Sequence, residues 1–439
     1  MDGSSGRLLV FSDIVRKNAI IRSAFFFYNS APEFIKSYLL LLYGVKCYLS
    51  ANCRGTVGAD VAFFASYPNE QVAIAHVRRH LDGLSGGEIW LSRGNCFRPQ
   101  SLKALPAFLW QARRLQRLSR RLVRRFHFLP ACRIFSTITY YARFRQVLDG
   151  LDAQSVFVAN HYSPECLALA AAAHRSRRRV FCTNHGNGTW RSGYVPPVHA
   201  DLIAVTSAAI LEAYARDSRR NLDAVFIPHA SPQRPMRAGF ESGAPLTVGI
   251  FLTALTNLDR LQALVTELEA NPRVDRVLIR SHPVKVVNDD LSALLARGDH
   301  VGETGAMPLA ENIELCDIAI CGNSTVTVDL LRGGLPVVYD AGLDDLADDV
   351  NGYVQEGLLP PLPAALDRQA LASLAAFYSD PAWAATMRHF DAGYRQDEAA
   401  MLRSFNGAVR RVVRAAVAAE PRSSRPDLSA DASEPANAL

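Results

Sequence analysis

A chain of 439 residues, 49% hydrophobic and 21% charged, is too apolar for a disordered or fibrous protein and long enough for two domains with separate cores. The net charge of +6 is mild for that length, and neither composition nor motifs imply a nucleic-acid partner. Apolar stretches such as SAFFFYNSA and IKSYLLLLYGV are short and interrupted, which argues against a transmembrane helix, and the leading residues MDGSSGRLLVFSD lack the regions of a secretory signal, so a cytoplasmic location is expected.

Residues 1–54 read as an N-terminal extension with one apolar helix, PEFIKSYLLLLYGV. From Ala59 the run ADVAFFASYPNEQVAIAHVRRHL predicts a strand, a loop and a helix, because Val72, Ile74, Ala75 and Val77 fall at mostly helical spacing. In residues 102–128, LKALPAFLWQARRLQRLSRRLVRRFHF, the side chains of Leu105, Phe108, Leu109, Leu115, Leu118, Leu122 and Phe126 lie roughly along one helical face. Between Arg113 and Arg125 stand seven arginines and no acid, which makes the segment a basic amphipathic helix. Such a helix lies peripherally on an anionic membrane surface, fits a partner's groove, or is a packed helix with a solvated face.

Strands and helices go on alternating through QSVFVANHYSPECLALAAAAHRSRRRVFCTNHGNGTW, ADLIAVTSAAILEAYAR and DAVFIPHASP. The Pro/Gly/Ser-rich residues 231–245 mark a domain boundary. Beyond it come LTVGIFLT, LDRLQALVTELEAN, VDRVLIRSHP, MPLAENIELC, DIAICGN, TVTVDLLRGG and LPVVYD, again strand and helix in turn. This predicts an α/β protein of two Rossmann-like domains facing a central cleft, with an N-terminal extension and a C-terminal helical segment. The first domain spans residues 55–235 and the second 245–418, while the polar, Pro-rich residues 419–439 read as a disordered tail. Eight scattered cysteines without a C-x-x-C pair read as buried thiols, and no metal set is expected.

Ligands of parallel sheets bind where strands end, so four loops carry the candidate chemistry. After DIAIC, the small residues Gly322, Asn323, Ser324 and Thr325 let the backbone approach a phosphate, with the hydroxyls of Ser324 and Thr325 as donors. Asp329, about one turn on, is placed to accept ribose hydroxyls; the plainer reading of the loop is a helix N-cap by Asn323 or Ser324. After VDRVLI, the segment RSHPVK supplies Arg280, His282 and Lys285, cations and donors suited to a diphosphate or a leaving phosphate, or else a surface histidine beside a turn proline. After RRVFC, TNHGNGTWR places His185 among Asn184, Gly186 and Asn187, a position for a base that deprotonates an acceptor hydroxyl, or for a structural histidine. After SVFV, Asn160, His161 and Glu165 offer further polar groups on the acceptor side or a helix cap.

Taken together these motifs resemble those of two-Rossmann-domain, GT-B type glycosyltransferases of bacterial capsule and surface-polysaccharide synthesis. The run DLLRGGLP, from Asp329 to Pro336, is similar to their E-A-x-x-x-G-x-P donor helix, with Asp for Glu and Leu for Ala. RSHP resembles the R-x-H-P of CDP-glycerol glycerophosphotransferases, GNSTVTVD their D-Y-S-S-x-x-F-D, and NHGN their W-H-G-T; the histidine–proline pair with a Ser/Thr pair is also similar to that of capsule polysialyltransferases. The resemblance covers roughly residues 180–340 and departs from the pattern where Gly322-Asn323 replaces Asp-Tyr and Asn184 replaces Trp. It implies His185 as base, with Arg280, His282, Ser324 and Thr325 holding the donor's phosphates. The implied reaction moves a sugar or polyol-phosphate from a cytidine- or uridine-type nucleotide donor to a glycan or lipid-linked acceptor, with no cofactor and without a metal. A nucleotide-sugar epimerase of the same build and a non-catalytic membrane-associated scaffold are the alternatives.

Overall fold

Strands with four consecutive buried residues, such as Val61–Phe64 and Ser155–Val158, are the pattern of a parallel sheet covered on both faces, and the protein has two such sheets. The computed structural model describes residues 23, 26–28, 30–54, 58–91, 103–184, 198–216, 222–282, 291–298, 300–345 and 349–418. The tail expected at 419–439 lies outside them. The first half runs α1 (Glu33–Ser50), β1 (Ala51–Arg54), β2 (Val61–Phe64), α2 (Pro68–Arg79), β3 (Gly86–Leu91), α3 (Leu105–Arg125) and α4 (Phe128–Asp149). It continues through β4 (Ser155–Val158), α5 (Pro164–Arg175), β5 (Arg179–Thr183), β6 (Leu202–Val205), α6 (Ala208–Arg216) and β7 (Ala224–Phe226). After the linker come β8 (Leu246–Phe251), α7 (Leu258–Glu269), β9 (Val274–Arg280), α8 (Ser292–Leu295), β10 (Val301–Glu303) and α9 (Leu309–Leu315). The last elements are β11 (Ile318–Cys321), α10 (Thr327–Arg332), β12 (Val337–Tyr339), α11 (Arg368–Ser379), α12 (Pro381–Phe390) and α13 (Glu398–Ala418).

The first sheet has the order β1-β3-β2-β4-β5-β6-β7, parallel except for the β1–β3 edge pair. The second has the order β10-β9-β8-β11-β12 and is parallel throughout. Chain order reverses between β2 and β4 in the first sheet and between β8 and β11 in the second. At such a reversal the flanking loops diverge to opposite faces and leave a crevice at the strand ends.

Alternate residues of the first sheet bury against different layers. Phe64, Val156, Val158 and Cys182 pack with Phe144 and Leu148 of α4 and Leu169 of α5. Phe63, Phe157 and Phe181 pack with Ile74 and Val77 of α2 and, from the far end of the chain, Phe405 and Val409 of α13. The second sheet has one core, to which Leu261, Leu264 and Leu268 of α7 contribute at helical spacing. Among the described residues the seven cysteines are free thiols, and no helix is long and apolar enough to cross a membrane.

Two segments sit differently from the sequence expectation, and a third, α3, takes one of the readings the sequence left open, a packed helix with a solvated face. Residues 33–54 are an integral part of the first domain, because β1 pairs with β3 and α1 shares a buried cluster with α3 and α4. α13, expected with the second domain, covers the first sheet, since its apolar stripe is the one available to close that face. The apolar stripe of α3 is spent inside the protein: Phe108, Leu115 and Leu122 pack against Leu40 and Tyr48 of α1, while Leu109 and Phe126 stay exposed outside the stripe.

Candidate functional site

The carboxyl ends of the two sheets meet across the linker. The carbonyl of Thr206, the first residue beyond β6, accepts from the Ala392 N–H at 2.9 Å. His229, just beyond β7, holds Nδ1 at 3.6 Å from the carboxylate of Asp329 on α10, the helix that follows β11. The ends of β6 and β7 and the helix that follows β11 therefore lie together at the junction of the two domains.

On the second domain, Cys321, Phe251 and Arg280 are level across β11, β8 and β9. The loop of residues 322–325 and the segment Arg280-Ser281-His282 thus begin at one height, two strand spacings or about 10 Å apart, on either side of β8. Between them lies the reversal of chain order. The N–H of Asn323 donates to Asp344 Oδ2 at 2.7 Å, and its side-chain amide to Oδ1 of the same carboxylate at 3.1 Å. Asn323 Oδ1 accepts from the Tyr339 hydroxyl at 3.2 Å and the Val350 N–H at 2.8 Å, while its carbonyl accepts from Asn351 at 3.2 Å. Asn323 is thereby a strut that fixes the loop. A Cβ at Gly322 would run into the Asp344 carboxylate, so glycine is what lets this turn close on its brace. Burial pushes the Tyr339 phenol up to about 12, which keeps it a donor to Asn323.

Ser324 is buried and Thr325 exposed at the mouth of the loop. α10 begins only at Thr327, has six residues and carries no side-chain cap, so neither a capping Asn323 nor a capping Ser324 describes it. Arg280 Nη1 donates to the carbonyls of Thr304 and Met307 at 3.1 and 2.6 Å, and burial lowers the guanidinium pKa. Ser281 donates to Glu303 at 2.8 Å, leaving His282 half-buried at the end of this braced segment. Lys285 lies outside the described residues.

On the first domain, the ends of β2 and β4 hold a buried polar network that joins the sequence candidates Asn160 and Glu165 to Ser66 and Glu70. Glu70 Oε2 accepts the N–H groups of Ser66 and Tyr67 at 2.7 and 3.2 Å, and Oε1 accepts from Asn160 at 2.5 Å. The Ser66 hydroxyl donates to Glu165 Oε1 at 2.6 Å. Burial raises the Glu70 pKa and the nearby Glu165 carboxylate adds to it, while the bonds from Ser66 and Tyr67 pull the other way. Asn160 Oδ1 also accepts from Tyr162 and Ser163, turning the chain after β4. His161 is buried edge-on against Tyr214, with ring centroids 4.4 Å apart. Asn184 clasps the ends of β5 and β6 through both Thr206 Oγ1 at 3.3 Å and Thr206 N–H at 3.2 Å. His185 and Asn187 lie outside the described residues.

Asp329 faces the linker: its Oδ1 accepts from the Ser231 hydroxyl and neighbours His229. His229 was legible, since it follows a predicted strand in DAVFIPHASP as His282 does in VDRVLIRSHP, but only the second was read as a site. Ser66 and Glu70 had no such signal, because their partners Glu165 and Asn160 are 99 and 90 residues away in the chain.

A cavity of about 600 Å³ opens beside β12, lined entirely from the second domain by residues including Arg260, Asp340, Asp349 and Gln355. Arg260 donates there to Asp340 at 2.9 Å and to Glu267 at 2.9 Å, so its charge is already answered. No described residue of the first domain lines it. Among the described residues no group of three or more His, Cys, Asp or Glu side chains is placed to hold a metal.

No protein-family profile matches the sequence, and no curated protein matches it. Solved structures with a similar chain course include MnaA of S. aureus solved with UDP, at 10% identity over 80% of this chain and 96% of that one, with a TM-score of 0.49. MurG of Acinetobacter baumannii shares 10% identity over 80% and 99% of the two chains, with a TM-score of 0.44. The glycotransferase of kitacinnamycin shares 13% over 82% and 97%, with a TM-score of 0.46.

Proposed function

We propose that the protein is a GT-B type transferase that moves a sugar or polyol-phosphate from a nucleotide-activated donor to a glycan or lipid-linked acceptor of bacterial surface-polysaccharide synthesis. One observation carries this reading: the braced loop of residues 322–325 and the segment ending at His282 lie on either side of β8, at the end of the second sheet where its chain order reverses. In a parallel sheet that crevice is where a phosphate-bearing ligand finds small residues, hydroxyls and backbone donors together.

In this reading Ser324, Thr325, His282 and Lys285 hold the donor's phosphates. Arg280 positions that segment through its carbonyl bonds to Thr304 and Met307. Preorganised donors offset the charge that grows on the leaving phosphate, the task a metal performs elsewhere. His185, in the Gly-rich sequence that follows β5, takes the acceptor's proton as the acceptor oxygen attacks the activated carbon or phosphorus and the nucleotide phosphate leaves. Asn184, Asn187 and His161 shape the acceptor side.

A second reading, epimerisation of a nucleotide-sugar in the same cleft, is favoured by the paired buried carboxylates Glu70 and Glu165 at the first sheet's reversal. Acid–base chemistry on a bound sugar needs such groups and no acceptor. The two readings part in one assay, nucleotide release from CMP-, CDP-, UDP- and GDP-linked donors with and without a glycan acceptor. The transferase reading expects acceptor-dependent release that falls roughly a hundredfold or more in His185→Ala. An altered sugar without acceptor selects the epimerase, and consumption of no donor overturns both.

A further inference from the structure

We propose that α1 and α3 form a docking surface for an anionic phospholipid bilayer, a role independent of the nucleotide site. The two helices pack antiparallel: Glu33 meets Arg124 near one end, the hydroxyls of Ser37 and Ser119 are 2.7 Å apart, and the Tyr48 ring sits edge-on to Phe108 at 5.2 Å near the other. Their inward residues join Ala131 and Phe135 of α4 in one buried cluster, so their outer faces both turn away from the same core.

Those outer faces are unlike each other and complementary. On α1, Phe34, Tyr38 and Leu42 follow at intervals of four residues and are 61%, 53% and 65% exposed. Phe26 and Phe27, just ahead of the helix, are 72% and 60% exposed, and Trp110 in the first turns of α3 is 90% exposed. Single exposed apolar residues are ordinary; a stripe of them along one helix face is a contact surface without its partner. The arginines of α3 occupy its solvent side from Arg113 to Arg125. Across residues 23–50 and 103–128, ten Lys and Arg residues stand against one acid, Glu33, which pairs with Arg124.

The charge selects the occupant. A second copy of this chain would bring one set of arginines against another, and a neutral protein groove would leave them unanswered. Anionic headgroups answer them, while the aromatic rings enter the boundary between headgroups and acyl chains. Since no described helix can span a bilayer, contact is along the surface.

The test is co-sedimentation of the full-length protein with phosphatidylcholine vesicles prepared with and without phosphatidylglycerol. Binding to the anionic vesicles is expected to exceed that to neutral ones by roughly tenfold or more and to fall with added salt. Phe34→Ser with Leu42→Ser, and separately Arg114→Glu with Arg117→Glu and Arg121→Glu, each lower binding about tenfold or more. All five positions are exposed, so circular dichroism and melting temperature stay as in the wild type. Anionic vesicles shift tryptophan emission to the blue, and Trp110→Phe removes the shift. Equal binding to both vesicle types, absence of binding, or a dimer that the Phe34→Ser/Leu42→Ser variant dissociates would each overturn the proposal.

Discussion

A buried arginine is tolerable only when its charge and its donors are all answered, and Arg332 meets that condition at the hinge. It is wholly inaccessible, donates Nε to the Ser231 carbonyl at 2.7 Å, pairs with the equally buried Asp391, and reaches Glu398 at 3.4 Å. Arg332→Met should cost about 3–5 kcal/mol in urea unfolding, because Asp391 is left charged and unpaired, and Asp391→Leu added to it should recover part of that loss. A double variant no more stable than the single one contradicts this coupling. Asp201 shows the same logic nearer the surface. Burial pushes its carboxyl up, but hydrogen bonds from His174, the Val180 N–H and Arg179 outweigh that and hold its pKa down to about 2. A carboxyl held below its unfolded value, about 3.9, contributes stability that is present above that pH and lost as pH falls through the folded value. Asp201→Asn should therefore melt lower than the wild type at neutral pH and lose less between about pH 4 and 2. Parallel acid-unfolding curves for the two proteins would contradict it. Roles of this kind were not legible in the sequence. Asn323 was marked because it lies at a strand end, yet what makes it a strut, Asp344, Tyr339 and Asn351, is supplied by chain that the fold brings in.

The strands were the legible elements, because a parallel strand covered on both faces must be a short continuous apolar run, and VAFF, SVFV and IAIC are such runs. The partners of amphipathic helices were less so: α3 and α13 have clear apolar stripes, but a stripe does not say which surface will cover it. The turn from α10 into β12 shows how an element's end is set by a contact far away. Gly334 has φ of +77°, its carbonyl accepts from the Arg237 N–H at 2.8 Å, and a Cβ there would strike the Pro235 carbonyl of the linker. In the family pattern that DLLRGGLP resembles, a glycine stands at this kind of place, and the linker is the physical reason for it here. Gly334→Ala should cost about 1–2 kcal/mol from the backbone conformation alone, with more from the displaced linker. The urea midpoint reads it, and an unchanged midpoint would contradict the account of this turn.

At the scale of the molecule, two sheets of different strand order, each with one reversal of chain order, are joined by the linker, while α13 returns to close the first domain. The linker is tied on both sides: the Pro228 carbonyl lies 2.7 Å from His76 Nε2 on the first domain, and Ser231 bonds to Asp329 and Arg332 on the second. These ties fix the linker to both domains. The two-domain plan was readable from the alternation of elements, and the proposed chemistry rests on where that plan puts residues 322–325. Hydrogen–deuterium exchange of the full-length protein with and without saturating CMP, CDP and UDP probes that placement directly. At least one nucleotide is expected to slow exchange in residues 252–257, 281–282 and 322–326, with no change around the cavity beside β12. If no nucleotide protects those three loops, the central claim is contradicted.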